Sequence, residues 1–317
     1  MRILISDKTS SSCAEILSNA GHQVDEKFGL TPEELLTLIG EYDGLIVRSA
    51  TKVTQEVFEK GKKLKVVGRA GSGVDNIDLN AAQKSNIVVM NTPGANTNAV
   101  VELTLSYIFV LSRNLYQACL SLKDGKWEKK LFVGCEIYGK TLGIIGCGKI
   151  GSKVANKALT LGMEVLCYDP FCKIDKEDRA HLVFVNRLED VLLKADYISI
   201  HVPKNPETIN LISKNEFNRM KRGVCFINCS RGGIVNEKDL VNALNNGIIK
   251  AAGIDVFYNE PPSYTELIGH PKVICTPHLG ASTKEAQENV AVQIAQQFVD
   301  MFAGRAIRHE VKIKKIA

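Results

Sequence analysis

The stretch TLGIIGCGKIG, residues 141–151, indicates the fold class, because an apolar strand pattern runs directly into a glycine loop that opens a helical pattern. Its glycines, Gly146, Gly148 and Gly151, fit the spacing G-x-G-x-x-G. That spacing alone is a weak signal, since glycine makes up 25 of the 317 residues. Between a strand and a helix it gains specificity, because glycines there allow a tight turn, close approach of a pyrophosphate and close helix packing. The loop therefore predicts a dinucleotide site at a helix N-terminus.

An acidic residue follows the glycine loop at the expected distance. Asp169 ends the next apolar run, EVLCYD, 18 residues beyond Gly151. A carboxylate near this position accepts hydrogen bonds from the ribose hydroxyls of a dinucleotide and repels a 2′-phosphate. Pro170 follows it, where an arginine would favour the phosphate. The pair predicts NAD rather than NADP; the alternative is an ordinary strand, turn and helix with an aspartate at the surface.

Short β-branched runs alternate with helical patterns along the chain, which is typical of parallel sheets covered by helices. One series ends near residue 91, and a second starts at Lys140. A last helix of more than about 20 residues, opened by a capping box at Ser282-Thr283-Lys284-Glu285, is expected to pack on the first series. We therefore predict an α/β protein of two doubly wound domains. A Rossmann-type NAD domain, residues 98–283, is inserted into a discontinuous flavodoxin-like substrate domain, residues 1–97 and 284–317.

Composition narrows the class of protein. With 45% hydrophobic and 24% charged residues, and no apolar run near the roughly 20 residues that cross a bilayer, the sequence predicts a soluble cytoplasmic protein without a membrane partner. The net charge of +5 is modest, and the lysine clusters lack interleaved aromatics, which argues against nucleic acid and suits small anionic ligands. Nine scattered cysteines without metal-ligand spacing predict reduced thiols and no metal site.

Polar side chains follow three strand patterns of the second series. Arg231 comes after VCFINCS, Glu260 after GIDVFYN and His278 after VICTP. Ligands of open α/β sheets bind outside the carboxyl ends of the strands, so these residues are candidates for one site. Each also has an ordinary interpretation: a surface arginine in a glycine turn, a solvated acid, and a turn histidine with satisfied hydrogen bonds.

The chemistry of the three residues is mutually consistent. An arginine binds a carboxylate bidentately and stabilises negative charge on a neighbouring carbonyl oxygen. A histidine accepts the proton of a secondary alcohol as hydride leaves, and a carboxylate on its other ring nitrogen fixes the tautomer. The sequence therefore predicts a dehydrogenase whose catalytic residues are Arg231, Glu260 and His278.

With these residues in place, the chain resembles the D-isomer-specific 2-hydroxyacid dehydrogenases over residues 1–304. The resemblance rests on eight ordered blocks: GLIVRSATKVT, VVGRAGSGVDNID, VMNTPGANT, DGKWEKK, GKTLGIIGCGKIG, INCSRGGIV, GIDVFYNEPP and TPHLGAST. It implies that Arg231, Glu260 and His278 are the catalytic arginine, glutamate and histidine.

The same resemblance implies further site residues. Lys149 and Ile150 would meet the pyrophosphate, with Val202 and Pro203 on the adenine side. The nicotinamide would be lined by Cys229, Ser230, Asp255, His278, Leu279, Gly280 and Ala281. From the first domain, Ser72 would meet the cofactor, and the substrate side would be closed by Arg48, Ser49, Ala50, Gly73 and Asn96. The anionic end of the substrate would be bound by Arg48, Arg69 and, from a neighbouring subunit, Lys129.

The activity implied by the resemblance is NAD-dependent oxidation of a phosphorylated 2-hydroxy acid, 3-phospho-D-glycerate, to 3-phosphohydroxypyruvate at the start of serine synthesis. Alternatives are a hydroxypyruvate or glyoxylate reductase and an NAD(H)-sensing corepressor-like binding protein. A homodimer through the cofactor domain is expected. The chain stops where longer members continue into regulatory domains, so serine feedback is not expected. Asn236 and Lys204 depart from the family pattern, at a helix cap and on the adenine side.

Overall fold

The computed structural model describes residues 1–172 and 181–312, and the chain forms two compact units. The first contains Met1–Asn96 and Ala281–Ala317, and the second is Thr97–Gly280. The chain crosses between units one residue before the boundary predicted near residue 97, and three residues before the one predicted near residue 283. Among the described residues, no helix combines the length and apolar character that crossing a membrane requires.

The first unit is built on a parallel sheet of five strands in the order β2-β1-β3-β4-β5. The strands are β1 (Arg2–Ile5), β2 (Gln23–Glu26), β3 (Gly44–Val47), β4 (Val66–Arg69) and β5 (Val88–Met90). The helices are α1 (Ser11–Asn19), α2 (Pro32–Leu38), α3 (Gln55–Lys60), α4 (Leu79–Lys84) and, from the end of the chain, α12 (Lys284–Phe302).

Helix α12 belongs to the core of the first unit. Ala291, Ile294 and Phe298 are fully buried, and the Phe298 ring lies over the sheet, where a Cβ atom added to Gly68 would come within 2.3 Å of it. The predicted start of this helix was wrong by one residue: the N-cap is Thr283, not Ser282, because it is the Thr283 hydroxyl that accepts a hydrogen bond from the Ala286 amide, at 3.1 Å. The helix has 19 residues, fewer than predicted.

The second unit is built on a parallel sheet of seven strands in the order β12-β11-β10-β9-β6-β7-β8. The strands are β6 (Thr141–Ile145), β7 (Glu164–Tyr168), β8 (Val183–Phe184), β9 (Tyr197–Ile200), β10 (Val224–Asn228), β11 (Ile249–Ile254) and β12 (Val273–Cys275). The helices are α5 (Thr97–Arg113), α6 (Leu115–Lys123), α7 (Lys149–Thr160), α8 (Leu188–Lys194), α9 (Lys214–Arg219), α10 (Glu237–Asn245) and α11 (Thr265–Ile268).

The seven-stranded sheet is covered on both faces, since β9 and β10 are buried along their whole length. The prediction of two doubly wound α/β domains is thus confirmed. Strand order reverses at β6, which has β9 on one side and β7 on the other. In open α/β sheets the crevice outside such a switch point binds the ligand. Asn236 takes the helix-cap position expected of it, because its Oδ1 atom accepts a hydrogen bond from the Asp239 amide at the start of α10.

Candidate active site

The glycine loop lies at the switch point, between β6 and α7. Gly146 has φ +91°, and a Cβ atom there would lie 2.7 Å from the His201 carbonyl oxygen. A Cβ atom at Gly151 would lie 2.0 Å from the Gly146 carbonyl oxygen. At Gly148, by contrast, it would meet no atom of the described residues within 4 Å. The chain itself therefore requires the first and third glycines, whereas the space beside Gly148 is open and fits a pyrophosphate.

Asp169 is fixed at the edge of this loop. Its Oδ2 atom accepts a hydrogen bond from the Cys147 amide at 2.8 Å, and its Oδ1 atom accepts one from the Phe171 amide at 2.9 Å. The carboxylate is half-buried, and Pro170 beside it is exposed. Its negative charge next to the open space beside Gly148 fits a ribose with free hydroxyls and disfavours a 2′-phosphate.

Other residues that were predicted to bind the cofactor lie just after β6 and β9 in the chain. Lys149 and Ile150 form the first turn of α7, and Val202 and Pro203 follow β9, the neighbour of β6 at the switch point. Lys204, which departs from the family pattern, holds its ammonium 5.6 Å from the centre of the Tyr258 ring. Together with Gly148 and Asp169, these positions suit a dinucleotide that crosses the carboxyl ends of β6, β7 and β9.

His278 and Glu260 form a direct pair. The Nδ1 atom of His278 lies 2.7 Å from Oε2 of Glu260, and Oε1 of Glu260 accepts a hydrogen bond from the Phe257 amide. Because a carboxylate only accepts, Nδ1 carries the proton, and in the neutral imidazole Nε2 becomes the basic atom. The two side chains are 41% and 39% exposed, which leaves them accessible to a ligand.

Arg231 lies within electrostatic range of this pair. Burial pushes the pKa of Glu260 upward, but the His278 hydrogen bond, the Phe257 amide and the charge of Arg231 together bring it below its ordinary value. Arg231 itself donates from Nη1 to the Ser230 carbonyl oxygen at 2.7 Å. The structure therefore brings together residues from the ends of β10, β11 and β12, and Glu260 is ionised at neutral pH.

Asp255 holds the turn that carries His278. Its carboxylate is fully buried and accepts hydrogen bonds from the amides of Leu279 and Gly280, at 2.7 and 2.8 Å, and from the Thr276 hydroxyl. Its carbonyl oxygen accepts from the His278 amide at 2.9 Å. Burial raises the pKa of Asp255, and the Thr276, Leu279 and Gly280 hydrogen bonds oppose that rise. Thr276 was not among the predicted site residues, although it lies within the quoted block TPHLGAST.

Cys229 and Ser230 end β10 beside Arg231. Burial raises the pKa of the Cys229 thiol, so the thiolate needed for nucleophilic or redox chemistry is disfavoured. The Ser230 hydroxyl donates to Oδ1 of Asn228 at 2.7 Å. Within the described residues no cluster of three His, Cys, Asp or Glu side chains could hold a metal ion.

In the first unit, Arg48, Ser49 and Ala50 form the turn after β3, and two unpredicted residues hold it. The Asp7 carboxylate accepts from the Arg48 amide at 2.6 Å and from the Thr51 hydroxyl at 2.7 Å. The Asn76 side-chain amide donates to the Arg48 and Thr51 carbonyl oxygens at 2.9 and 2.6 Å. Asp7 comes directly after the β1 pattern, so the strand-end rule that identified Arg231 could also have identified it.

Two further candidates of the first unit, Ser72 and Asn96, contact each other. The Ser72 hydroxyl donates to Oδ1 of Asn96 at 2.7 Å, with Gly73 next in the chain. The Arg69 guanidinium lies against Gly71, where an added Cβ atom would come within 2.0 Å of Nη1. Ala281, which was predicted to line the nicotinamide, belongs to the first unit. Lys129 is exposed and belongs to the second unit, in the 3₁₀ turn Lys129–Phe132.

Comparison with known proteins identifies the relatives of this chain. The family model described as "D-isomer specific 2-hydroxyacid dehydrogenase, NAD binding domain" matches residues 105–280. D-3-phosphoglycerate dehydrogenase of Homo sapiens is 48% identical over 307 residues, which are 96% of this chain and 57% of the human protein. The protein of the same name from Synechocystis sp. is 45% identical over 98% of this chain and 56% of its own length. The chain thus spans little more than half the length of these curated relatives.

A solved structure is also similar. It is the crystal structure of cofactor (NAD⁺)-bound 3-phosphoglycerate dehydrogenase from Entamoeba histolytica, with a TM-score of 0.84 at 30% sequence identity. The match covers 99% of both chains. The likeness therefore extends over both units of this chain and includes a protein solved with NAD⁺ bound.

Proposed function

The chain belongs to the D-isomer-specific 2-hydroxyacid dehydrogenases, and from that premise we propose that it oxidises 3-phospho-D-glycerate to 3-phosphohydroxypyruvate with NAD, as the first step of serine synthesis. The observation that carries the reaction type is the 2.7 Å contact between His278 and Glu260, which follow strands of the same sheet that carries the glycine loop. The names of relatives that are 45–48% identical support the substrate.

The proton step belongs to His278. Glu260 holds the imidazole with its proton on Nδ1, so Nε2 accepts the proton of the substrate C2 hydroxyl. As that O–H bond breaks, the C2–H bond also breaks and the C2–O bond becomes a carbonyl. When bound, NAD supplies the acceptor for the hydride from C2. Arg231 binds the substrate carboxylate and stabilises negative charge on the C2 oxygen.

The chain's own residues also account for cofactor placement. Backbone amides at the start of α7 would bind the pyrophosphate beside Gly148, as at other helix N-termini that bind phosphates. The Asp169 carboxylate would accept the ribose hydroxyls, and Val202 and Pro203 would cover the adenine side. Cys229 and Ser230 would line the nicotinamide side with a buried thiol and a hydroxyl.

We propose that the substrate phosphate is bound by cations. Arg48 is the leading candidate, because Asp7 and Asn76 hold its backbone from both sides and so restrict where its guanidinium can reach. Arg69 is the second candidate, and Lys129 of a partner subunit the third. Ser49, Ala50, Gly73 and Asn96 are further candidates for the substrate side.

We further propose a homodimer through the second unit. Exposed apolar side chains are concentrated between residues 109 and 138, and Trp127, Leu131 and Val133 are 80%, 70% and 78% exposed. Such a concentration is typical of a protein–protein interface. Light scattering of the purified chain tests the dimer, and Trp127→Lys is expected to yield monomers; a monomeric wild-type chain would contradict it.

A cytoplasmic location is proposed as well, because the nine cysteines are free thiols in the described structure.

One assay tests the proposed activity. NADH formation is measured with 3-phospho-D-glycerate, D-glycerate and D-lactate, and reduction of glyoxylate and hydroxypyruvate is measured with NADH. We expect the highest kcat/KM with phosphoglycerate. Preference for glyoxylate or hydroxypyruvate would identify a reductase, and NADH binding without turnover of any substrate would identify a sensor-like protein.

A variant of Arg48 tests whether this residue binds the substrate phosphate. Arg48→Ala should raise the KM for phosphoglycerate by about 10-fold to 100-fold, as expected for loss of a charged contact, while the KM for unphosphorylated D-glycerate changes little. The matched control is Lys62→Ala, an exposed charge in the same unit that has no assigned role. Equal effects of Arg48→Ala on both substrates would contradict phosphate binding by Arg48.

A further inference from the structure

His278 has a backbone conformation that requires support. Its φ of +54° lies in the left-handed region, which is disfavoured for a residue with a Cβ atom. Residues hold such a conformation when surrounding contacts determine it. At His278 the contacts come from Asp255, whose carboxylate and carbonyl oxygen accept the amides of Leu279, Gly280 and His278.

The Asp255 carboxylate is itself held by a chain of hydroxyls. Thr276 Oγ1 donates to Asp255 Oδ1, and Tyr107 OH lies 2.7 Å from Thr276 Oγ1. A threonine hydroxyl has one hydrogen, and a carboxylate oxygen can only accept. Because the Thr276 hydrogen goes to Asp255, Tyr107 is the donor to Thr276, which at 2.7 Å is a closer acceptor than the Ile254 carbonyl oxygen at 3.4 Å. The order of donation is therefore Tyr107 to Thr276 to Asp255.

Tyr107 is a rigid starting point for this chain. It lies in α5 and is 3% exposed. Its ring packs against β11, where an added Cβ atom at Gly253 would come within 2.4 Å of the ring. The side chain therefore has little freedom to move. Its hydroxyl contacts Thr276, which lies 169 residues further along the sequence. A buried hydrogen bond that starts from a fixed ring restricts the rotation of the groups that follow it.

We propose that Tyr107 is a positioning residue for catalysis, which acts through Thr276 and Asp255 to fix the turn that carries His278. The inference rests on the proposed function, because it assumes that His278 accepts the substrate proton. Within the part of the chain that the structure describes, the Tyr107 hydroxyl bonds to Thr276 and not to Glu260 or the imidazole, so its effect is transmitted through the turn. Without the Tyr107 hydroxyl, Thr276 can rotate, Asp255 loses its orientation, and the imidazole samples positions from which proton transfer is slower.

The chain offers a matched pair of tyrosines for the test. Tyr107→Phe removes the proposed donor. Tyr197→Phe removes another buried tyrosine hydroxyl of the second unit, which is 2.8 Å from Ser112 Oγ and lies outside the Asp255 chain. Both variants lose a buried hydrogen bond and should show similar drops in melting temperature. We expect Tyr107→Phe to lower kcat about 10-fold with little change in NADH Kd or substrate KM. Tyr197→Phe should keep the wild-type kcat.

Threonine variants test the order of the chain. Thr276→Ser keeps the hydroxyl and should retain most of the wild-type kcat, whereas Thr276→Val should lower kcat at least as much as Tyr107→Phe. If Tyr107 acts through Thr276, the double variant Tyr107→Phe/Thr276→Val should have the kcat of Thr276→Val alone, because coupled residues are not additive. Multiplied losses in the double variant would overturn the proposed route.

The outcomes separate this inference from the proposed function. Wild-type kcat in Tyr107→Phe, or equal losses of kcat in Tyr107→Phe and Tyr197→Phe, would overturn the positioning role even if His278→Gln is inactive. Full activity of His278→Gln would instead overturn the proposed function. A loss of kcat in Tyr107→Phe with unchanged NADH affinity, alongside wild-type kcat in Tyr197→Phe, would support both.

Discussion

The Nδ1 atom of His278 lies 2.7 Å from Oε2 of Glu260, although the two residues follow different strands of the sheet. This contact assigns the basic nitrogen of the imidazole to Nε2 and gives the pair the geometry of a histidine base oriented by a carboxylate.

Replacing the histidine should affect turnover and leave cofactor binding intact. We expect His278→Gln to lower kcat by about 10³-fold, within the range of lost general acid–base catalysis, because the proton of the substrate hydroxyl then has no acceptor. NADH affinity, measured by fluorescence titration, should stay within about twofold of wild type, since the base acts on the substrate. An unchanged kcat would contradict the mechanism.

The charge of Glu260 should affect turnover. The pKa of Glu260 lies below its ordinary value, so the carboxylate is ionised at neutral pH. Glu260→Gln removes that charge from the partner of His278 Nδ1, and kcat should fall about 100-fold, because the imidazolium formed during proton transfer loses the carboxylate that stabilises it. Glu237→Gln is the control and should keep the wild-type kcat, because Glu237 binds the Tyr258 amide in the same unit. An unchanged kcat in Glu260→Gln would argue against the pairing.

Alanine substitutions of two loop glycines should affect cofactor binding in one case and protein stability in the other. Gly148→Ala adds a Cβ atom in open space, so we expect an unchanged melting temperature and an NADH Kd raised about 10-fold, because the methyl group would occupy the place of the pyrophosphate. Gly151→Ala adds a Cβ atom 2.0 Å from the Gly146 carbonyl oxygen and should destabilise the protein. Thermal unfolding and NADH titration of both variants check this, and NADH affinity unaffected by Gly148→Ala would exclude the proposed cofactor path.

Asp169 should determine the choice of dinucleotide. Asp169→Ala removes the carboxylate that lies 2.8 Å from the Cys147 amide. We expect weaker binding of NAD by about 10-fold and a smaller preference for NAD over NADP, because the repulsion of a 2′-phosphate is lost. The measurement is kcat/KM with each cofactor. Asp190→Ala, which removes a partly buried acid paired with Arg187 in the same unit, should leave the ratio unchanged; an unchanged ratio in Asp169→Ala would contradict the assignment.

A buried histidine should make the protein less stable in acid. The Nδ1 atom of His201 is buried and has no hydrogen-bond partner among the described residues, and burial lowers the pKa of His201 from 6.5 to about 4. Between these values the unfolded chain binds a proton that the folded chain does not, so stability falls as pH drops through that window. The loss is at most about 3 kcal/mol.

His201→Gln removes this titration while it keeps a polar side chain. Its melting temperature should therefore fall less steeply than that of the wild type between pH 6.5 and pH 4. The exposed His181 provides the control, because His181→Gln should leave the wild-type slope unchanged. Parallel curves for wild type and His201→Gln would show that another group dominates acid unfolding.

Local sequence patterns predicted the elements of the fold well, with errors at their ends. The strand TLGII, the glycine loop and α7 are recognisable because each depends on residues adjacent in sequence. The start of α12 was misplaced, since Ser282 and Thr283 are both good caps, and only the path of the backbone decides which hydroxyl reaches an amide.

Sequence patterns were enough to predict two α/β units, a dinucleotide loop with an acidic partner, and an arginine, a glutamate and a histidine at three strand ends. These features depend on periodicity and short spacing, which are properties of neighbouring residues. The tertiary structure alone decided that Glu260 pairs with Nδ1 of His278, that Asp7 and Asn76 hold the Arg48 turn, and that Tyr107 reaches Asp255 through Thr276. Such contacts join residues that are distant in sequence, and they form only when folding brings different strands and helices together.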